Sequence, residues 1–405
     1  MSPFKTLLQE WHELDWPHNK WLVIYGIIAI SPAIGGIPST QPIYYAALLV
    51  AVAYFLTQKG KLNFSAVIFL VAGILSVVLN NPPALFKAPI RLALFSLVFL
   101  VASPLLQGDK LCSFRLAVLT VILKMSVIVS FISFVFYFAG INFMAFDGTA
   151  IDVREAGGFG GLTRQSMLLG PISGTAVVYV AFKAFQTKNR WYWLAAIPCA
   201  GCTMFAASRA AFLAAIAGVL AMFYTYSKSY GQFIKIILTV FFVGAVTFPL
   251  WNGAMNALES KNNANIETES MTASRNSKWN NRLAEFESSP LFGIGFATCD
   301  LEHTEDYNAE GGIESGSSWL TILSTMGLIG FIAFIFMMKG SIHSVFRRRT
   351  RESALLMGLL TFISLHMMAE GYIIYGGSQL CFTAWLIIGC CYDNRFRPRL
   401  LYSKC

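Results

Sequence analysis

The chain has 405 residues, of which 56% are hydrophobic and 13% charged, with 34 Phe and a mean hydropathy of +0.60. A soluble domain carries about 25% charged residues, so these figures exclude an ordinary soluble enzyme and point to an all-α integral membrane protein. The 30 Lys and Arg against 21 Asp and Glu give a net charge of +9, which insertion orientation explains without a nucleic-acid partner.

The first twenty residues contain Glu10, Glu13 and Asp15 and no small-residue cleavage site, so they read as an amphipathic lead-in and not as a signal peptide. A bilayer core of about 30 Å needs about 20 apolar residues in helix. Runs near that length lie at 21–37, 42–57, 65–80, 88–106, 116–140, 166–184, 191–207, 209–227, 233–251, 317–338, 354–373 and 377–392. The second, third and last are short and Lys124 interrupts the fifth, so the expectation is about twelve spans, with eleven as the alternative. Residues 1–405 then form a single transmembrane domain.

Most of the basic residues fall on the side of the N-terminus, which predicts cytoplasmic termini by the positive-inside rule. Those left for the outer face are Lys87, Arg91, Lys124, Arg154, Arg164, Arg209, Lys261, Arg275, Lys278 and Arg282. Two outer segments stand out: a short loop at 145–164 and a long one at 252–316 that precedes the tenth span. Within the longer loop, Trp279, Leu283 and Phe286 share a helical face, and Pro290, Gly293 and Gly295 end that helix. An amphipathic helix on the outer leaflet or over a cavity is expected. The two halves of the chain show no repeat, which counts against an inverted-repeat transporter. The eight Cys form no disulfide framework, and Cys199-x-x-Cys202 lies in an apolar run without His, so it reads as packing and not as a metal or redox site.

Four constellations could carry chemistry. Ser208-Arg209 opens the eighth span, and an Arg pressed against a membrane helix is costly enough to suggest function, although an interface anchor is the plainer reading. The small residues Ala206, Ala207, Ala210 and Ala211 beside it allow close helix approach. Arg275, Lys278 and Arg282 project from one helical sector beside the aromatic sector of Trp279 and Phe286. That arrangement suits a lipid carrying phosphate, or an ordinary helix touching acidic lipid. Arg154 is followed by a Gly-rich stretch, GGFGG, whose exposed amides could meet an anion or which could be a simple flexible loop. Glu314-Ser315 stands where the long loop meets the tenth span, and either a base toward a sugar hydroxyl or a helix cap fits it. His366 and Glu370, four apart on the eleventh span, rank lower as a structural or relay pair.

Arg154, Arg209, Arg275 and Glu314 all fall at the same expected outer face. Three cations and a carboxylate there describe a diphosphate site with a base. A nucleotide donor is excluded on that side, so an activated sugar must arrive on a lipid carrier.

These elements resemble the O-antigen ligase and polymerase superfamily of bacterial membrane glycosyltransferases. The resemblance rests on Arg154 with GGFGG, on Ser208-Arg209, on Arg275-x-x-x-Trp279 with Pro290-Leu291-x-Gly293-x-Gly295, and on the junction ending TILSTMGLIG. It implies a glycosyltransferase C type fold in the bacterial inner membrane and transfer of glycan from undecaprenyl diphosphate, with no metal and no other cofactor. The diphosphate would be bound by Arg209 and Arg275, with Arg154 and Arg282 as further candidates. Glu314, Arg209 and Arg275 are the expected catalytic residues, and Trp279, Ser208 and Ser315 the expected glycan or lipid contacts. Ligases of this kind resemble each other in a His followed by Asn before the tenth span. Here that position reads Glu314-Ser315-Gly316-Ser317-Ser318, and His303 is the nearest upstream His. The departure favours a polymerase over a ligase, inverting by the family's analogy alone, with a lipid-linked oligosaccharide flippase as the reading from another class. Lipid-linked glycan is the expected donor and acceptor, the bilayer its setting, and a chain-length regulator a further partner.

Overall fold

The computed structural model describes residues 16–146, 149–150, 158–189, 191–227, 231, 234, 273–301, 307–308, 311–348 and 350–394. Their helices are α1 (Lys20–Ile30), α2 (Gln41–Thr57), α3 (Phe64–Asn80), α4 (Ala88–Ala102), α5 (Asp109–Ala139) and α6 (Ser166–Thr187). They continue as α7 (Trp191–Phe205), α8 (Arg209–Tyr226), α9 (Ala273–Ser288), α10 (Ser318–Arg348), α11 (Arg351–Ala369) and α12 (Gln379–Asp393). Most of the predicted runs fall on these helices, while the run near 233–251, except for residue 234, lies outside the described residues. So do Arg154, His303, the N-terminal lead-in up to residue 15 and the polar stretch from 252 to 272.

Six helical stretches among the described residues are long and apolar enough to cross a membrane: Ala84–Ala102, Asp109–Ala139, Ser166–Thr187, Arg209–Tyr226, Ser318–Arg348 and Arg351–Ala369. Helices α2 and α3 have 17 residues each, the short end of what spans a bilayer. Helix α5 starts at Asp109, earlier than its apolar run implied. Its acidic first residue favours the helix N-terminus electrostatically, a contribution that hydropathy does not register.

The helices sort their ends into two layers. At one end, here the site end, Ser76 near the end of α3 donates to Thr325 O, and Ser318 at the start of α10 donates to Glu370 O just after α11. At the far end, Arg115 early in α5 meets Asp393 at the close of α12, and the two-residue strands β1 (Lys61–Leu62) and β2 (Leu106–Gln107) pair antiparallel. A second antiparallel pair joins β3 (Ala145–Phe146) to β4 (Thr149–Ala150). Between the two ends lies a continuous apolar core centred on Trp385, which packs against Phe69, Phe95, Phe99 and Phe334. Its indole N–H donates to Ile373 O at 2.8 Å, so the ring is buried without an unmet donor.

Two close approaches position the site. Helices α8 and α11 cross at paired glycines, where a Cβ on Gly218 would lie 2.7 Å from Gly358 O and one on Gly358 2.8 Å from Gly218 O. Gly174 of α6 approaches both Ala211 O and Phe362. Ala211 precedes Gly218 and Phe362 follows Gly358, so the two helices run antiparallel. The second approach interrupts α10 at Gly327, whose φ of 63° lies in the left-handed region. Breaking a helix frees backbone groups that must be paired elsewhere. Here the segment after α9 supplies partners: Leu328 N donates to Pro290 O at 2.8 Å and Ile294 N to Ser324 O at 2.9 Å. A Cβ on Gly293 would lie 2.3 Å from Thr325 C, and one on Gly327 2.3 Å from Leu291 O. The Pro290-Leu291-x-Gly293-x-Gly295 stretch therefore does more than end a helix: it is spliced into the break of α10.

Candidate functional site

Helix α9 lies across the site end with its charged face inward. Residues 275, 278, 282 and 285 recur at helical spacing and point the same way, while Leu283 is left exposed. Each cation of this stripe meets a carboxylate. Arg275 Nη2 reaches Glu370 Oε1 at 2.5 Å, Lys278 Nζ reaches Glu314 Oε1 at 2.5 Å, and Arg282 Nη1 reaches Glu285 Oε2 at 2.8 Å.

The three pairs differ in what they leave available. Arg282 is 2% exposed and also donates to Thr298 O and Ser324 Oγ, while Glu285 accepts from Asp300 N. Burial pushes the Glu285 carboxyl up, with Arg282 opposing the shift. This pair is enclosed, and the expectation that Arg282 meets a diphosphate has no open face to support it. Lys278 pairs with a Glu314 side chain that is 65% exposed. Glu314 is therefore reachable from outside. Arg275 lies between these cases at 31% exposed, with Nη1 donating to Gly316 O at 3.3 Å. Trp279, on the same helix, donates from Nε1 to the same carbonyl at 3.2 Å.

The third carboxylate, Glu370, is mostly buried, its side chain 12% exposed. It sits at the C-cap of α11, where burial pushes its carboxyl up and Arg275 opposes the shift. Its carbonyl accepts from Ser318 N and Oγ, and Ser318 Oγ in turn accepts from Tyr372 N. This knot fixes the segment carrying Glu314 against the one carrying Glu370. His366, one turn inside, shares its Nδ1 with Tyr372 OH at 3.1 Å. The sequence showed His366 and Glu370 on one helical face, but it carried no signal that Glu370 would meet Arg275.

Ser315 is buried against Gly371, where a Cβ would lie 1.7 Å from its Oγ, so it faces protein and not an open surface. Ser317 does the capping work of the SGSS stretch, its carbonyl accepting from Thr321 N at 3.0 Å. Ser208 is the N-cap of α8, its Oγ accepting from Ala211 N at 3.3 Å. Of the two serines expected to contact glycan or lipid, Ser208 caps a helix and Ser315 is enclosed by protein.

Arg209 is the first residue of α8 and partly exposed. From the Gly218–Gly358 crossing, Arg209 lies as far toward the site end along α8 as Met367 does along α11. At a rise of about 1.5 Å per residue, that puts the Arg209 backbone within a turn of the level of Glu370. The Gly-rich loop beside it is packed. A Cβ on Gly158 would lie 3.1 Å from Ala206 O, and one on Gly161 2.6 Å from Ser133 Cβ. Its described glycines serve close packing rather than an anion cradle.

Other cations at this end brace the fold. Arg91 donates to Ala297 O at 2.9 Å and to Gly311 O, and Arg164 donates to Ile34 O at 3.0 Å. Among the described residues no group of His, Cys, Asp and Glu could hold a metal ion. Cys199 and Cys202 are buried, with Cys202 Sγ donating to Ser130 O at 3.0 Å.

Apolar helices of membrane-crossing length, with a layer of ion pairs at one end of the bundle, define a multi-pass helical membrane protein with a polar site at that end. Residues 194–335 match the family model of O-antigen ligase, and the resemblance to the O-antigen ligase and polymerase superfamily holds on that match. The matched stretch contains Ser208, Arg209, Arg275, Trp279, Arg282, Glu314 and the spliced Pro290–Gly295 segment, and stops short of His366 and Glu370. No curated protein matches the chain. The match and the helical architecture are together consistent with a membrane glycan-transfer function.

Proposed function

We propose that the protein is a polymerase that joins undecaprenyl-diphosphate-linked repeat units into O-antigen or a related surface polysaccharide, with the site end at the periplasmic face of the inner membrane. The observation that carries this reading is Arg275, a partly exposed guanidinium paired with Glu370, one turn of α9 from the Lys278–Glu314 pair and within a turn of the level of Arg209. Arg275 and Arg209 meet the donor's diphosphate, where low polarity strengthens charge pairing. Trp279 flanks the chain or first sugar.

In the transfer, an acceptor hydroxyl oxygen bonds to the donor's anomeric carbon while the bond from that carbon to the phosphate oxygen breaks. The hydroxyl proton passes to Glu314, whose exposure opens it to an incoming sugar. The electron pair of the broken bond leaves on the diphosphate, neutralised by the arginines. Attack in line with the leaving group inverts the anomeric configuration. Glu314-Ser315-Gly316-Ser317-Ser318 stands where ligases resemble each other in a His followed a few residues later by Asn, and this departure favours polymerisation over attachment to lipid A-core.

Deleting the gene and resolving the surface polysaccharide by gel tests this reading. Single-repeat product is expected; core without glycan makes the protein a ligase, and glycan accumulating inside the cell makes it a flippase. A topology reporter fused near Asn263 is expected to report a periplasmic loop, and a cytoplasmic signal overturns the orientation.

A further inference from the structure

The cations of α9 are already answered by carboxylates in the protein alone, so an incoming diphosphate must compete for them. The three pairs are unequal competitors. Arg282 and Glu285 are enclosed, with their remaining groups bonded to Thr298 O and Asp300 N. Glu314 reaches Lys278 from an exposed position. Glu370 differs from both: it is largely buried, and its backbone is tied by two hydrogen bonds from Ser318. The cation it holds remains 31% exposed.

We propose that Glu370 is a placeholder anion for the donor's diphosphate, holding Arg275 in position and giving it up when the lipid-linked donor binds. The inference rests on the diphosphate reading of this site. A guanidinium has five N–H donors. Those of Arg275 bonded here go to Glu370 Oε1 and Gly316 O, and its exposed face admits a second anion. Because Ser318 anchors Glu370 through the main chain, Arg275 is placed by a partner that does not itself depend on the guanidinium. A diphosphate brings more charge and can be bound bidentately, so it wins the exchange. Glu370 is then left in a poorly solvated position without its cation, which is unfavourable. That cost weakens donor binding and, after transfer, favours return of Glu370 to Arg275 and release of the diphosphate product. Glu370 is on this account a positioning residue, acting through Arg275.

The test measures binding of farnesyl diphosphate to purified full-length protein in detergent, alongside transfer kinetics. Glu370→Gln keeps the size and a hydrogen-bond acceptor but removes the competing charge. It is expected to bind the probe about threefold to tenfold more tightly, with KM for donor and kcat both lowered. Arg275→Ala is expected to lose binding. If Arg275→Ala loses binding while Glu370→Gln binds the probe no more tightly than the unaltered protein, the placeholder role is overturned and the diphosphate reading stands. If Arg275→Ala binds as well as the unaltered protein, both fall. Should Glu370→Gln fail to fold, Glu370→Asp shortens the reach to Arg275 and is expected to tighten binding in the same direction, and unchanged affinity there overturns the placeholder role.

Discussion

Two arginine–carboxylate pairs, one at each end of the bundle, look alike in distance and differ in everything else. Arg115 at the far end reaches Asp393 Oδ2 at 2.7 Å and is 0% exposed. Its other donors go to Val101 O, Ser103 O and Leu106 O, so the guanidinium is fully enclosed by the ends of α4, α5 and α12. Arg275 at the site end reaches Glu370 at 2.5 Å but stays partly open. Saturation is what separates a cation that holds helices together from one that can receive a ligand. Arg282 shows that the same distinction operates within one helix: two turns along α9 from Arg275, it is as enclosed as Arg115.

The sharpest contrast comes from removing each arginine. Arg115→Ala takes from buried Asp393 the guanidinium paired with it, and breaking a buried ion pair typically costs about 3–5 kcal/mol. Folded protein in membranes is expected to fall severely, as read by detergent-extracted yield and thermal unfolding. If Arg115→Ala accumulates and melts normally, the far-end knot is not structural.

A smaller effect is expected at the helix crossing that sets the level of Arg209. Gly218→Ala places a Cβ against Gly358 O, and overpacking of this kind costs about 1–3 kcal/mol. A lowered melting temperature together with reduced chain extension is expected. Unchanged melting would mean α8 and α11 can separate, removing the basis for placing Arg209 level with Glu370.

The smallest effect on stability belongs to Glu314→Gln. Exposed ion pairs contribute about 0–1 kcal/mol, so the loss of the Lys278 contact should leave melting almost unchanged. Transfer is nonetheless expected to stop. Full chain extension in Glu314→Gln would make Glu314 a surface partner of Lys278 and nothing more.

The apolar runs made most of the helices legible because burial in lipid or core selects hydrophobic residues locally, run by run. The stripe of Arg275, Lys278 and Arg282 was legible for a similar reason, since helical spacing is a local property. Their partners were not. Glu370 lies 95 residues from Arg275, and nothing in either segment encodes that α9 crosses the end of α11. The Pro290–Gly295 segment read correctly as a helix stop, but its docking into the break at Gly327 depends on backbone groups that every sequence carries alike. The glycines near residue 160 read equally as an anion loop or a flexible one. Only the neighbours Ala206 and Ser133 show that they permit packing. Glu314 illustrates the same gap: its position before α10 was visible, and its exposure was not.

On the proposal that Arg275 is kept open for a diphosphate, the decisive readout is the surface polysaccharide of cells carrying Arg275→Ala. With protein level matched to the unaltered chain, the account predicts loss of the polymer ladder and retention of single-repeat product. A normal ladder from Arg275→Ala cells would contradict it.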